Sequence, residues 1–343
     1  MEKGTMLAVY APLVGGRNVN WWPRLNNSSH LGKWREEVSL RTNIKAWYPL
    51  TNTLFTSAGE LSISLWELLE LVGLPMTGCL YDEVVPNVLE FTALTKREKD
   101  LFLVLASICL MLTTCFKVST IKKALFTKLC IERSLKDKAY LAAYLACWLC
   151  VFVLPSKDVN SIHPSTFKMA CLMASGRRVN LVIPILTSIY VGLNTVATSP
   201  KSTYSSPSFP IHFVYAWLAC YFKTHYLVWQ DLCGPKMTRF SSEGGAKYYD
   251  PREAHKQIPK AEFVSWACNM LVQNGPFKLV DDGNAEVLEH NYFVAIHLSY
   301  LTLCQGSKFI IEPYSPHRFG RQFGYYKDVS GTLKYDMCAA SLE

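Results

Sequence analysis

Apolar residues in this chain come in long runs, and none of them is quite long enough to cross a membrane. The longest are Leu101 to Phe116 and Ala139 to Pro155. Both fall short of the ~20 residues that a spanning helix needs. The first carries Ser107, Thr113 and Thr114, with Lys99, Asp100 and Lys117 at its ends. Phe209 to Trp229 is longer, but His212, Lys223 and His225 interrupt it. Runs of this length read as buried core helices. Met6 to Val14 is too short for a signal peptide, and Pro12 breaks it. The constraint is therefore a helical body with a large core.

Local signals divide the body into elements. Leu54-Phe55-Thr56 and Glu60-Leu61-Ser62-Ile63 flank Ser57-Ala58-Gly59, the pattern of a short hairpin. Ser64 and Glu67 match a capping box, and Leu65, Leu68, Leu69 and Val72 then follow a helical period. Gly73 and Pro75 end that helix. Thr95 and Glu98 form a second capping box, opening a helix through Phe116. Further helices are expected over 31–46, 120–133, 137–153, 165–175, 178–196, 210–230 and 260–273. Pro184 should kink the 178–196 helix, and Pro259 suits a first helical position. Tyr300 to Leu303 and Phe309 to Glu312 flank Gln305-Gly306-Ser307-Lys308, a second hairpin. Ser- and Pro-rich residues 201–210 read as a surface loop and lobe boundary, and residues 241–260 as a second polar loop. The fold class is mainly α: one large helical domain with two lobes and small β-hairpins. Residues 1–50 form a partly irregular N-terminal extension, 51–335 the domain, with lobes meeting near 200–210, and 336–343 a tail.

Charge is uneven. The chain carries a net +8. Lys96 to Lys138 holds ten Lys or Arg against four acids, whereas Glu60 to Glu90 holds six acids and no base. A basic face of this kind meets nucleic acid or an acidic protein, and a solvated helix surface explains it as well.

Enzyme chemistry finds little purchase. Neither a G-x-S-x-G elbow nor an H-E-x-x-H helix is present. The twelve cysteines are scattered, and Cys147 and Cys150 form a C-x-x-C pair inside an apolar run without a second pair. Asp281-Asp282-Gly283-Asn284 lacks the alternating acids of a calcium loop. No catalytic, cofactor-binding or metal-binding residue is assigned.

The densest motif is Glu312-Pro313-Tyr314-Ser315-Pro316-His317-Arg318-Phe319-Gly320-Arg321-Gln322-Phe323-Gly324-Tyr325. After Pro316 a short helix would put Arg318 and Arg321 on one face and Phe319 and Phe323 on another. Its aromatics would anchor it, and its arginines would reach either a buried acid or a partner. Glu60 and Glu312 are the candidate internal acids, and His317 sits beside the arginines. Arginine with aromatics also suits stacking on single-stranded nucleic acid. Gly176-Arg177-Arg178 lies between two helices, where its arginines either bind phosphate or carboxylate or form salt bridges.

Four blocks, in order, resemble the plant mobile domain, a family carried by plant transposable elements and by host genes descended from them. The first runs from Phe55 to Gly78 through Gly59, Glu60, Ile63, Leu65, Gly73, Leu74 and Pro75. The second is Leu145 to Pro155, containing ACWLCVFVLP. The third is His163 to Asn194, HPSTFKMACLMASGRRVNLVIPILTSIYVGLN. The motif from Glu312 to Tyr325 is the fourth. The resemblance covers most of residues 50 to 330. It implies a nuclear, non-enzymatic interaction domain acting in transposable-element silencing, gene expression and meristem maintenance. It also implies a serine/threonine phosphatase-like partner; the charge asymmetry and the C-terminal motif make residues 96–138 or the Arg318 and Arg321 face of this chain the candidate surface for it. The label "aminotransferase-like" is attached to this family, yet no glycine-rich phosphate cradle precedes a helix here, and Lys247 lies in a polar loop. A nucleic-acid-binding module of a transposable element is the second reading, and a pyridoxal-phosphate enzyme the third.

Overall fold

The computed structural model of the chain describes residues 47–83, 85, 88–96, 99–100, 102–104, 133–155, 163–198, 209–222, 237, 256, 258, 260, 287–305 and 308–323. The helices expected over 31–46 and 120–133, Pro259, the turn at Asp281 to Asn284 and the tail lie outside these residues. Almost all of the 201–210 boundary, the 241–260 loop, the 260–273 helix and the basic stretch between 105 and 132 also lie outside them.

The described part is mainly α with two small sheets. In the first sheet, β1 (Trp47–Tyr48), β2 (Thr53–Thr56) and β3 (Gly59–Leu61) pair antiparallel in that order. Trp47, Leu54 and Leu61 share one row and face the core, and all three are buried. Phe55 and Glu60 face each other on the opposite side.

Ser64 then caps α1 (Leu65–Glu67): its hydroxyl accepts from the Glu67 N–H, and the Glu67 carboxylate accepts from the Ser64 N–H. This helix makes a single α turn and widens into a π-helical turn over Leu68–Val72, which the sequence period does not show. Gly73 stops it with φ 74°.

After the short β4 (Asp82–Glu83) and α2 (Val88–Ala93) comes α3 (Arg133–Trp148), which likewise ends in a π-helical turn, Leu149–Val153. A 3-10 turn, Pro164–Thr166, leads into α4 (Phe167–Ala174). The central helix, α5 (Val182–Thr198), follows and packs against β1, β5 and β6. Its expected kink is absent because the helix begins later than its apolar run suggests. Pro184 therefore falls in the first turn, where a missing N–H leaves no helical bond unmade. Next are α6 (Ile211–Phe222) and α7 (Val287–His297), the latter unforeseen from sequence.

In the second sheet, β5 (Tyr300–Gln305) pairs antiparallel with β6 (Lys308–Pro313) and parallel with β4. Both of its long strands extend beyond the apolar cores that announce them.

One hydrophobic cluster joins the first sheet, α1, α3 to α7 and the C-terminal segment. Leu61, Leu65, Leu149, Ile185, Leu186 and Ile189 lie at its centre, fully buried. Each such side chain contributes about 1.5–3 kcal/mol of transfer free energy. Among the described residues, no helix is long and apolar enough to cross a membrane.

Candidate functional site

The C-terminal motif wraps back onto the first sheet. Past Pro313 the chain forms a 3-10 segment, Pro316–Phe323, kinked at Phe319. Tyr314, Phe319 and Phe323 are buried and stack in sequence, with ring centroids 5.7 Å and 6.0 Å apart. Phe323 also meets Tyr292 of α7 edge-on at 5.9 Å. These aromatics hold the segment to the body, so its polar side chains are fixed against β2, β3 and α1.

Arg318 is aimed inward. Its Nη1 lies 3.2 and 3.3 Å from the two Glu60 carboxylate oxygens. The pair is nearly dry, with side chains 11% and 8% exposed. Thr53 donates its hydroxyl to the same carboxylate at 3.1 Å. Gln322 goes deeper: its Nε2 donates to the Ser62 carbonyl at 2.8 Å, and its Oε1 accepts the Ser62 N–H at 2.6 Å. The same Nε2 donates to Glu67 at 2.6 Å. Tyr221 of α6 donates to that Glu67 oxygen too. Glu67 is therefore a buried acid with three donors. Burial raises its pKa, and the bonds from Ser64, Tyr221 and Gln322 oppose that rise.

A second polar knot lies beside the first. Asn52 takes a left-handed conformation, φ 52°, which asparagine tolerates. Its Nδ2 donates to Glu312 at 3.2 Å and to the Pro313 carbonyl at 3.0 Å. Asn194 of α5 donates to Asn52 at 2.8 Å and accepts from the Trp47 indole at 2.8 Å. The Ser62 hydroxyl bonds the Asn52 carbonyl at 2.6 Å and meets the Tyr190 hydroxyl at 2.9 Å. Tyr314 donates to the Ala295 carbonyl and accepts from the Leu65 N–H. Burial raises the pKa of Glu312, which the Asn52 bond counters.

The remaining candidates stand at the surface. His317 is exposed, and partial desolvation with the neighbouring Arg318 charge lowers its pKa. Arg321 is exposed and donates to the Ala58 carbonyl in the β2–β3 turn at 2.6 Å. On the adjoining strands, Tyr48 and Phe55 are half exposed and meet edge-on at 5.4 Å. Arg177 and Arg178 are exposed too, far from this cluster in sequence. Their loop packs against residues 76–80: Cys79 donates its N–H to the Arg178 carbonyl at 3.0 Å, and Arg178 reaches the Thr77 hydroxyl at 3.2 Å. Gly78 makes this packing fit, with φ 136° and a β-carbon position only 2.4 Å from the Arg178 oxygen.

The structure thus joins Glu60 with Arg318, puts Glu312 in the adjacent knot, and leaves His317 and Arg321 on its rim. Arg177 and Arg178 belong to a different surface. Sequence reasoning missed Gln322, Tyr221, Asn52, Asn194 and Tyr190, and recognised Glu67 only as a cap. A glutamine among aromatics in the C-terminal motif is the one local signal that points inward. Among the described residues, no His, Cys, Asp and Glu cluster is placed to hold a metal ion.

The plant mobile domain family model matches residues 36–341. No curated protein and no solved structure matches the chain. Glu60, Ser62 and Glu67 of the first block, Tyr190 and Asn194 of the third, and Glu312, Arg318 and Gln322 of the fourth meet in the buried network, and the chain belongs to the plant mobile domain family.

Proposed function

We propose that this domain is a non-enzymatic, nuclear protein-interaction module of transposon origin. It acts in transposable-element silencing, gene expression and meristem maintenance, together with a serine/threonine phosphatase-like partner. Family membership supports this reading, and one observation carries it. Glu60 pairs with Arg318, and Gln322 closes the Ser62 backbone and Glu67, so the signature builds a scaffold. The groups it presents outward are Arg321 and His317, near the Tyr48–Phe55 ring pair. The Arg321 guanidinium beside aromatics suits an acidic peptide surface.

Affinity purification of the tagged chain from plant nuclei, after nuclease treatment, tests the proposal. The expected result is a phosphatase-like protein in near-equal amount, with recovery cut at least roughly tenfold by Phe55→Ala with Arg321→Glu. Equal recovery by the variant removes this face. Recovery that vanishes with nuclease favours the second reading, nucleic-acid binding, which rests on the +8 charge and the exposed Arg177 and Arg178. That reading requires affinity for DNA or RNA to fall steeply with salt. A Schiff-base absorbance band on adding pyridoxal phosphate to the purified chain, lost with reduced substrate turnover on lysine substitution, would overturn the non-enzymatic assignment.

A further inference from the structure

The second sheet ends on a strand whose outer edge has no partner among the described residues. Its order is β4–β5–β6, so β6 has a partner on one side only among the described residues. Backbone direction follows from the register. Tyr314 donates its N–H to the Ser299 carbonyl, and the pairing continues through Leu301 with Glu312, Leu303 with Ile310 and Gln305 with Lys308. In an antiparallel ladder the bonded pairs alternate with non-bonded ones. The even residues of β6 therefore turn their N–H and C=O groups toward β5. Phe309 and Ile311 turn theirs outward, and among the described residues no hydrogen bond engages those outward groups. Pro313 fits the same scheme. It has no N–H to present at the free edge, and its carbonyl is already taken by Asn52 at 3.0 Å.

The side chains agree. Phe309, Ile311 and, across the ladder, Tyr300 occupy the solvent face, 62%, 45% and 44% exposed. A bare apolar edge of this kind is ordinarily blunted by proline, charge or cover. Here the strand reads Lys308-Phe309-Ile310-Ile311-Glu312, and it is self-complementary about Ile310. Laid antiparallel on its own copy, it sets Ile310 opposite Ile310, Phe309 opposite Ile311, and Lys308 opposite Glu312. The Phe309 and Ile311 pairs fall at the outward backbone groups, so the bonding phase matches the side-chain pairing. Each aromatic then meets a β-branched residue, a cross-strand pair that stabilises a ladder, and each lysine approaches the Glu312 carboxylate, whose Oε2 also accepts from Asn52 at 3.2 Å. No one-residue slip preserves all three matches.

We infer that a second copy of this chain docks on β6, edge to edge and antiparallel about Ile310. The two three-stranded sheets become one six-stranded sheet with a continuous apolar face.

Sedimentation velocity on the full chain tests this, over roughly two decades of concentration up to about 100 µM. The expected result is a concentration-dependent species of twice the 38.8 kDa mass. Ile311→Pro removes an outward N–H without touching the ladder to β5, and should weaken the dimer at least roughly tenfold. Phe309→Lys with Ile311→Lys sits on the solvent face and gives the same readout if the proline variant misfolds by circular dichroism. Lys308→Glu sets like charges opposite each other and should also weaken it. Ile310→Cys fixes the register: the two copies then oppose each other at about 4.5 Å between α-carbons, and a disulfide between them should appear in peptide mapping. A monomer at every concentration overturns the inference. So does a dimer that is indifferent to both edge variants, and so does protection of the β6 amides by another segment of the same chain.

Discussion

Gln322 pairs with Ser62 as a neighbouring strand would. One carboxamide satisfies both the N–H and the C=O of a buried backbone unit, at 2.6 and 2.8 Å. It also donates to Glu67, so a single side chain closes three groups. Ser62 lies just past β3, where no further strand continues the ladder among the described residues. Gln322 takes the place of that missing strand.

Gln322→Ala should therefore cost about 3 kcal/mol in urea unfolding, because it strands two buried backbone groups rather than one exposed contact. Gln322→Glu should do at least as much harm at neutral pH, since it replaces the donor with a second acid beside Glu67. Its deficit should shrink as the pH is lowered.

The Glu60–Arg318 pair is nearly dry, so breaking it leaves a buried charge. Arg318→Met and Glu60→Gln should each destabilise by roughly 3–5 kcal/mol. The double variant should lose clearly less than the sum of the two. Arg321→Glu, at the exposed rim, should stay within about 0.5 kcal/mol of the parent. A double-mutant cycle by chemical unfolding reads the coupling.

Glu83 is largely buried at the junction of β4 and β5, and accepts from the Tyr81 hydroxyl at 2.6 Å. Burial lifts its pKa to about 7, against the bonds from Tyr81 and Gln305. A raised folded pKa means that the native state favours the protonated acid. The associated stability is present below the unfolded value of 4.5 and is lost as pH rises to about 7. Across that window the parent should lose up to about 3 kcal/mol relative to Glu83→Gln. Unfolding free energies of both proteins at a series of pH values test the sign as well as the size.

Gly78→Ala should cost about 2–3 kcal/mol. A side chain there meets φ 136° and an oxygen 2.4 Å from its β-carbon at once. Because that oxygen is the Arg178 carbonyl, the loss should come with faster hydrogen exchange at the Cys79 N–H that bonds it.

What the sequence made legible is what is local. The Ser64 and Glu67 capping box forms as read, since its partners are three residues apart. The same holds for the stop at Gly73. The beginning of α5 was misread because Val179 is apolar and keeps the helical rhythm, yet it is drawn into a bridge with Cys79. Asn180 then starts the helix by accepting the Ile183 N–H. The helix α7 escaped notice because His290 and Asn291 interrupt its apolar rhythm. Of the candidate site, the sequence offered Glu60 and Glu312 as acids for the arginines but could not choose between them or exclude a partner, because the Arg318–Glu60 pair joins positions 258 residues apart. No pattern in a window of neighbouring residues carries information of that range.

The Gln322 and Ser62 bonds span 260 residues. A ribosome delivers residue 322 only 260 residues after residue 62. At roughly 5–20 residues per second, the first hairpin waits some tens of seconds for the group that completes it. Until then the Ser62 N–H and C=O lack the carboxamide that pairs with them, while Glu67 is held by Ser64 and, later, Tyr221. A reading frame cut short by an insertion or a premature stop produces a chain that never acquires that final strand substitute. Closure of the Ser62 edge therefore depends on a side chain supplied from the far end of the domain, and cannot be completed by the first hairpin and its helix alone.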